Sequence, residues 1–275
     1  MNPLSILVTG ATGKAGSRIA KRLEAQGHAV RRASRNAIIP FDWENPATWV
    51  PALDGQSVVY VCLQPDFAFP GALETLVSFA QIARRVGVSR AVMINGRGEP
   101  AAERGEEVIR ATGLTTTVLR SAWFAQNFSE GSLRDAVLAG TVPMPGGDIR
   151  EPIIDLDDLA DVAVAALTDK AHAGLTYELT GPRLLGFAEV AELLARAAGL
   201  PVRYLPITFE EFRSELERTA GTVFADIVTE IARETFDGRN ARVTDDVKHV
   251  LGRAPRDFNQ FATDAARAGA WRIAA

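Results

Sequence analysis

Gly10, Gly13 and Gly16 punctuate a turn, Gly10-Ala11-Thr12-Gly13-Lys14-Ala15-Gly16. The turn leaves an apolar run at residues 4–8 and enters an amphipathic stretch at 17–26 with Ile19, Ala20 and Leu23 on one face. A glycine turn of this kind brings main chain close to a pyrophosphate, whose charge meets unbonded N–H groups and the positive end of the helix dipole. The spacing is G-x-x-G-x-x-G, not the commoner G-x-G-x-x-G. Glycines at a strand-to-helix turn can also serve backbone geometry alone. The position at the first strand of the chain points instead to a bound dinucleotide, with Gly10, Thr12, Gly13, Lys14, Ala15 and Gly16 around it.

The end of the second strand bears on which dinucleotide. NAD-binding folds place a carboxylate about 20 positions past the glycines, where it takes the ribose 2′-hydroxyl. This chain reads Arg31-Arg32-Ala33-Ser34-Arg35-Asn36, and no carboxylate falls between Glu24 and Asp42. Arginine beside a hydroxyl suits a 2′-phosphate, which the guanidinium can grip with two N–H groups. Arg35, with Ser34 next to it, is the expected anchor, and Lys14 is expected to add charge. Arg31 and Arg32 read as a solvated edge. The expected cofactor is therefore NADP(H) rather than NAD(H). Asp42, Trp43, Cys62, Leu63 and Gln64 complete the expected cofactor-binding set. Cys62 ends a β-rich run at 57–63, where it can face the cleft or serve as a small buried apolar residue.

These residues need a frame, and the chain alternates strand and helix signals to supply one. Strands are expected at 4–8, 28–34, 57–63, 90–95 and 115–119, with a short one ending at Phe41. Helices are expected at 17–26, 45–53, 71–86 and 103–112. This rhythm predicts an α/β fold, a Rossmann-type doubly wound parallel sheet. Residues 140–152 are rich in Gly and Pro and read as a loop. Asp155 and Asp158 read as caps of a helix at 156–167. A strand at 176–179, a helix at 187–198, a short strand at 202–205 and further helices to Trp271 follow. The expected organisation is a nucleotide domain over 1–150, its sheet completed by 151–181, and a smaller helical substrate-side part over 182–275.

Composition narrows the function classes. The chain is 47% hydrophobic and 23% charged with a net charge of -4, which gives no basis for nucleic acid or an anionic membrane as partner. With a single cysteine it forms no internal disulfide, consistent with a reducing cytoplasm. Met1-Asn2-Pro3-Leu4 lacks a leader pattern, and no apolar run reaches membrane-spanning length. His28, His172 and His249 are scattered without metal-ligand spacing, so no metal is expected.

A tyrosine followed four residues later by lysine is the usual proton relay of short-chain dehydrogenases. Here Tyr60, Tyr177 and Tyr204 are followed by Gln64, Gly181 and Thr208, and no lysine lies between Lys21 and Lys170. The relay is absent from the sequence, and so is the G-x-S-x-G nucleophile elbow.

The chain resembles the NmrA-like group of atypical short-chain dehydrogenases over nearly its whole length. The resemblance rests on Val8-Thr9-Gly10-Ala11-Thr12-Gly13, Ser34-Arg35-Asn36 and Ala111-Thr112-Gly113-Leu114. It continues through Leu119-Arg120-Ser121-Ala122-Trp123-Phe124-Ala125-Gln126-Asn127-Phe128, where Ser121 replaces a proline, and through Ile154-Asp155-Leu156-Asp157-Asp158-Leu159-Ala160, Tyr177-Glu178-Leu179-Thr180-Gly181-Pro182 and Val243-Thr244-Asp245-Asp246-Val247. Phe41-Asp42-Trp43-Glu44-Asn45-Pro46-Ala47-Thr48-Trp49 is similar to a stretch of ergot-alkaloid-type reductases, which reduce a cyclic iminium with NADPH. At Asn95-Gly96-Arg97 many relatives instead carry serines.

The resemblance implies one of two roles. One is an NADPH-dependent reductase of a small electrophile such as a cyclic iminium or a quinone. Trp123, Phe124 and Phe128 would form an aromatic wall, attracting a cation by about 0.5 to 2 kcal/mol, with core packing as the competing role. Asn95, Ser121 and Asn127 would be hydrogen-bond donors near the nicotinamide. The other is a non-enzymatic NADP(H) sensor acting through a protein partner. An exposed apolar patch around 209–217 would favour the sensor, and a deep aromatic pocket would favour the reductase.

Overall fold

The computed structural model describes residues 3–272; Met1 and Asn2, which belong to the leader reading above, lie outside the described residues, as do 273–275. The chain begins with β1 (Ser5–Val8), α1 (Lys14–Ala25) and β2 (Ala29–Arg32). A single 3-10 turn then leads into α2 (Trp49–Leu53), followed by β3 (Val58–Val61), α3 (Ala72–Arg85), β4 (Arg90–Gly96), α4 (Pro100–Ala111) and β5 (Thr115–Ser121). Beyond it come α5 (Ser132–Leu138), β6 (Thr141–Met144), β7 (Arg150–Glu151), α6 (Leu156–Thr168), β8 (Thr176–Leu179) and β9 (Leu185–Gly186). The chain closes with α7 (Phe187–Ala198), β10 (Arg203–Pro206), α8 (Phe209–Ala220), α9 (Thr222–Thr235), α10 (Asp246–Leu251) and α11 (Phe258–Arg267).

Six strands form one parallel sheet in the order β2-β1-β3-β4-β5-β8. Val58, Val59, Tyr60 and Val61 of β3 are all buried, because helices cover both faces of a parallel sheet and leave no polar side for alternation. Ile19, Ala20 and Leu23 of α1 pack on one face together with Leu159, Ala160 and Ala163 of α6. On the other face lie Leu53 of α2, Leu76, Phe79 and Ala83 of α3 and Ile109 of α4. The chain leaves β1 for β2 on one side and returns to β3 on the other, so the β1 and β3 ends form the switch point where such sheets hold ligands.

A third core unites β6, α7 and α11 through Val142, Met144, Phe187, Leu194, Phe258 and Phe261. The antiparallel helices α8 and α9 stand beside it. The segment does not stay apart from the sheet: Val247 of α10 is buried in the α1–α6 core, and Asp246 Oδ2 accepts from the Glu178 N–H of β8 at 2.7 Å.

Two expectations are corrected here. Phe41 ends no strand. It is buried in an aromatic cluster, with ring centres 5.0 Å from Trp43 and 5.8 Å from Phe79. The sheet stops at β2 on that side, so these rings find burial against α3 instead of extending the ladder. Residues 140–152 are not simply a loop either. β6 pairs in parallel with β10, and β7 pairs antiparallel with β9. Their partners lie far along the chain, beyond the reach of local pattern.

Asp155 does cap α6, accepting from the Asp157 N–H at 2.8 Å. Asp158 does something else. Fully buried, it takes Arg253 Nη1 at 2.6 Å, Arg256 Nη1 at 2.5 Å and the Arg256 N–H at 2.6 Å, tying α6 to the segment that follows α10.

Candidate cofactor and substrate site

The turn between β1 and α1 closes on itself. Gly13 N–H donates to the Gly10 carbonyl at 2.9 Å, and Gly10 has φ +63°, a left-handed conformation that side chains resist. A Cβ on Gly16 would lie 2.3 Å from the Gly10 carbonyl oxygen. Gly13 stands at the start of α1 with no side-chain cap, and the first turn holds no acidic residue. The leading N–H groups of the helix thus remain for an anion. Thr9 pins the switch point: its hydroxyl donates to the Tyr60 carbonyl at 3.0 Å and accepts from the Cys62 N–H at 2.8 Å.

Two hollows meet at this turn. The smaller, about 300 Å³, is lined by Gly10, Thr12, Ser34, Arg35, Asp42, Trp43 and Gln64 among others. The three arginines of this region separate cleanly. Arg31 donates to the carbonyls of Pro51, Ala52 and Asp54, and Arg32 is bound to Glu24 at 2.7 Å. Arg35 is exposed at the hollow. Trp43 is held by its Nε1 donating to the Cys62 carbonyl at 3.1 Å.

The larger cavity, about 460 Å³, runs from Gly10, Gly13 and Gly16 across the β3, β4 and β5 ends to α9. Of the expected residues it gathers Lys14, Ala15, Cys62, Leu63, Gln64, Asn95, Ser121, Trp123, Phe124 and Asn127. Lys14 faces this cavity rather than Arg35: its Nζ donates to Asn127 Oδ1 at 2.8 Å, so it adds no charge at the smaller hollow. Burial lowers the Lys14 pKa, Glu130 opposes that shift and Arg18 reinforces it. Burial and the neighbouring Asp66 charge raise the Cys62 thiol to about 11, so it stays protonated.

The expected donors are mostly committed. Asn95 Nδ2 donates to Glu106 Oε1 at 2.8 Å, and its buried Oδ1 has no partner among the described residues. The Ser121 hydroxyl donates to the Ala122 carbonyl at 3.0 Å. Phe128 does not join the aromatic wall. It is 0% exposed, lies 5.7 Å from the Phe258 ring and contributes its carbonyl to Trp271 Nε1 at 2.9 Å. Residues 125–128 form a 3-10 turn of three residues per turn, so neighbours Asn127 and Phe128 point in different directions. Trp123 and Phe124 do line the cavity, and Trp123 is steadied by Phe236 at 5.2 Å and Phe187 at 6.2 Å.

Sequence reasoning missed the acidic side of the cavity, where Asp66, Glu99 and Glu151 sit. Glu99 lies directly over Gly96, whose missing side chain leaves room for the carboxyl group. Burial raises its pKa to about 8, with the charges of Asp66 and Glu234 adding to the shift. A carboxyl that keeps its proton when folded and loses it when unfolded makes stability fall as pH rises from about 4.5 to 8. Glu99→Gln is expected to unfold like the parent at pH 5 but to be more stable by about 2 to 4 kcal/mol at pH 8. Urea unfolding at both values checks this; equal differences at both contradict it.

Comparison with known proteins decides the family. Residues 10–170 match the family model described as NAD(P)H-binding. The chain belongs to that NAD(P)H-binding family. An "Uncharacterized oxidoreductase YesF" of Bacillus subtilis is 34% identical, with 97% of this chain and 96% of that protein covered. An agroclavine dehydrogenase of Claviceps fusiformis is 28% identical, with 95% and 97% covered. The triphenylmethane reductase of a Citrobacter species, solved with NADP(H), superposes with a TM-score of 0.75 at 23% identity, covering 95% of this chain and 99% of that one. The chain is thus an NAD(P)H-binding protein of the oxidoreductase kind. No helix among its described residues is long and apolar enough to cross a membrane.

Proposed function

We propose that this protein is an NADPH-dependent reductase of a small, electrophilic, unsaturated acceptor such as a cyclic iminium or a quinone. The observation that carries the reading is continuity. The glycine turn and an aromatic-walled recess roofed by Val228, Ile231 and Ala232 are parts of one cavity. A ligand reaching along it from the turn would bring its far end against Trp123 and Phe124. NADPH would supply the hydride. The protein's own residues would grip the phosphates at Gly13–Gly16, hold the 2′-phosphate at Arg35 and shield the reacting face from water. Names among the relatives, agroclavine dehydrogenase and triphenylmethane reductase, agree with a cyclic or aromatic acceptor.

The sensor reading finds less support. Phe209 and Phe212 pack against the third core, and α8 opens with a capping box at Thr208 and Glu211. Exposed large apolar residues such as Ile38, Val50 and Val223 lie in separate stretches of the chain, none of them in 209–217.

Cofactor preference follows from Arg35. Arg35→Ala is expected to weaken NADPH by about 10- to 100-fold, the loss of one charge-assisted phosphate grip, and NADH by about threefold or less. Fluorescence titration with both cofactors tests this, and equal losses contradict the assignment. The reductase reading further requires that the wild-type chain oxidise NADPH when an acceptor is present.

A further inference from the structure

We propose that Glu151 and Arg97 form the oxygen-handling end of the cavity, with Glu151 as proton donor and Arg97 as charge partner for acceptors reduced at a carbonyl or quinone group. The proposal rests on the reductase reading and supplies what the missing Tyr–Lys relay leaves open.

Both side chains line the larger cavity, and both are shut off from bulk water: Glu151 is 2% exposed and Arg97 3%. Arg97 is fixed on two sides. Its Nε donates to Glu178 Oε2 at 2.9 Å and its Nη1 to the Asn240 carbonyl at 2.9 Å, while Asn240 Nδ2 donates back to the Arg97 carbonyl at 3.0 Å. Its Nη2 has no partner among the described residues, and neither has Glu151 Oε1. Buried polar atoms are costly when unpaired. The two side chains do not satisfy each other, since the ion pair of Arg97 is with Glu178. A carbonyl oxygen has two lone pairs. We assign one to Arg97 Nη2 and the other to the protonated Glu151 carboxyl.

The protonation state fits that task. Burial lifts the Glu151 carboxyl to about 7, Arg97 pulls against the shift, and Asp237 adds to it. Behind Arg97, Glu178 also takes Arg242 at 2.6 Å. A donor poised near the working pH can both give and regain its proton. In the reaction the electrophilic carbon accepts a hydride, NADPH becoming NADP+. The π pair moves to oxygen, and an O–H bond forms with the proton of Glu151. The carboxylate left beside Arg97 takes a proton from water once the product leaves. An iminium acceptor becomes a neutral amine on hydride addition and needs no such proton.

The test compares menadione, a quinone, with the N-methyl-3,4-dihydroisoquinolinium cation. Glu151→Gln is expected to lower kcat on menadione by about 100-fold and to remove the acid-form limb of the pH profile near neutrality. It should lower iminium turnover far less than menadione turnover, because that acceptor needs no proton. A second readout needs no turnover: N,N-dimethylbenzamide, labelled with ¹³C at its carbonyl, is bound with NADP+ and its stretch is read by infrared difference. The stretch should be lowered in wild type and in Glu151→Gln, which keeps a donor there, and move toward its free value in Glu151→Ala and in Arg97→Met. Menadione turnover at the wild-type rate in Glu151→Gln, equal loss on both acceptors, or an unshifted stretch in wild type would overturn the proposal. If wild type consumes NADPH with neither acceptor nor with other quinones, iminiums or α,β-unsaturated carbonyls, the reductase reading fails and the proton-donor role with it. The benzamide spectrum then decides separately whether the oxygen site exists.

Discussion

Gly16→Ala is expected to abolish productive cofactor binding. A methyl group there would lie 2.3 Å from the Gly10 carbonyl oxygen and 2.7 Å from the Gly10 carbonyl carbon, and both are main-chain atoms that cannot swing aside. Gly10 must keep φ +63° and accept from the Gly13 N–H for the turn to present its N–H groups. Relief of the clash therefore moves either the turn or the start of α1. Crowding of this kind costs about 1 to 3 kcal/mol of stability. It should also weaken NADPH by at least about 100-fold, equivalent to roughly 2.7 kcal/mol of lost binding. Fluorescence titration gives the affinity, and urea unfolding of the apoprotein shows that the variant still folds. A folded variant that binds NADPH like the parent would mean that the turn does not hold the phosphates.

Much of this arrangement is legible from sequence because the signals are local. The glycine spacing, the amphipathic face of Ile19, Ala20 and Leu23, and the unbroken apolar run at Val58–Val61 each depend on residues a turn or a strand apart. Arg35 belongs to the same local stretch, exposed at the smaller hollow while Arg31 and Arg32 are bonded elsewhere. Features fixed by distant partners are not legible. Phe41 has strand chemistry but no strand to pair with, and β6 finds its partner β10 about 60 residues later. Phe128 sits next to Asn127, yet a tight 3-10 turn sends one to the core and the other to the cavity. Glu151 stands in a Gly- and Pro-rich stretch without periodicity, so only the β7–β9 pairing reveals that it is buried in the lining of the larger cavity.

Asp158 shows how a residue read as a cap can hold the molecule together. Its carboxylate, 0% exposed, collects two guanidinium groups and one main-chain N–H from residues 253–256. Asp158→Ala leaves the two arginines with Asp161 as their ion partner on α6 and removes the acceptor of the Arg256 N–H, so the tie between α6 and the segment before α11 is weakened. Breaking a buried ion pair costs about 3 to 5 kcal/mol. Both arginines keep more than a third of their side chains in solvent, so they recover hydration and the loss should be about 2 to 4 kcal/mol. Urea unfolding checks the value, with Asp158→Asn expected to fall between parent and alanine variant. A shift under about 1 kcal/mol would mean that the network is a surface feature without consequence.

The most direct test of the central claim is NADPH consumption by the wild-type protein. Loss of reduced-nicotinamide absorbance is followed with cyclic iminiums, quinones and α,β-unsaturated carbonyls, while product is measured in the same samples. The account predicts that at least one of these classes is reduced with one NADPH oxidised per product, and that NADH is the poorer donor. Tight NADPH binding with no acceptor of any class reduced would contradict it.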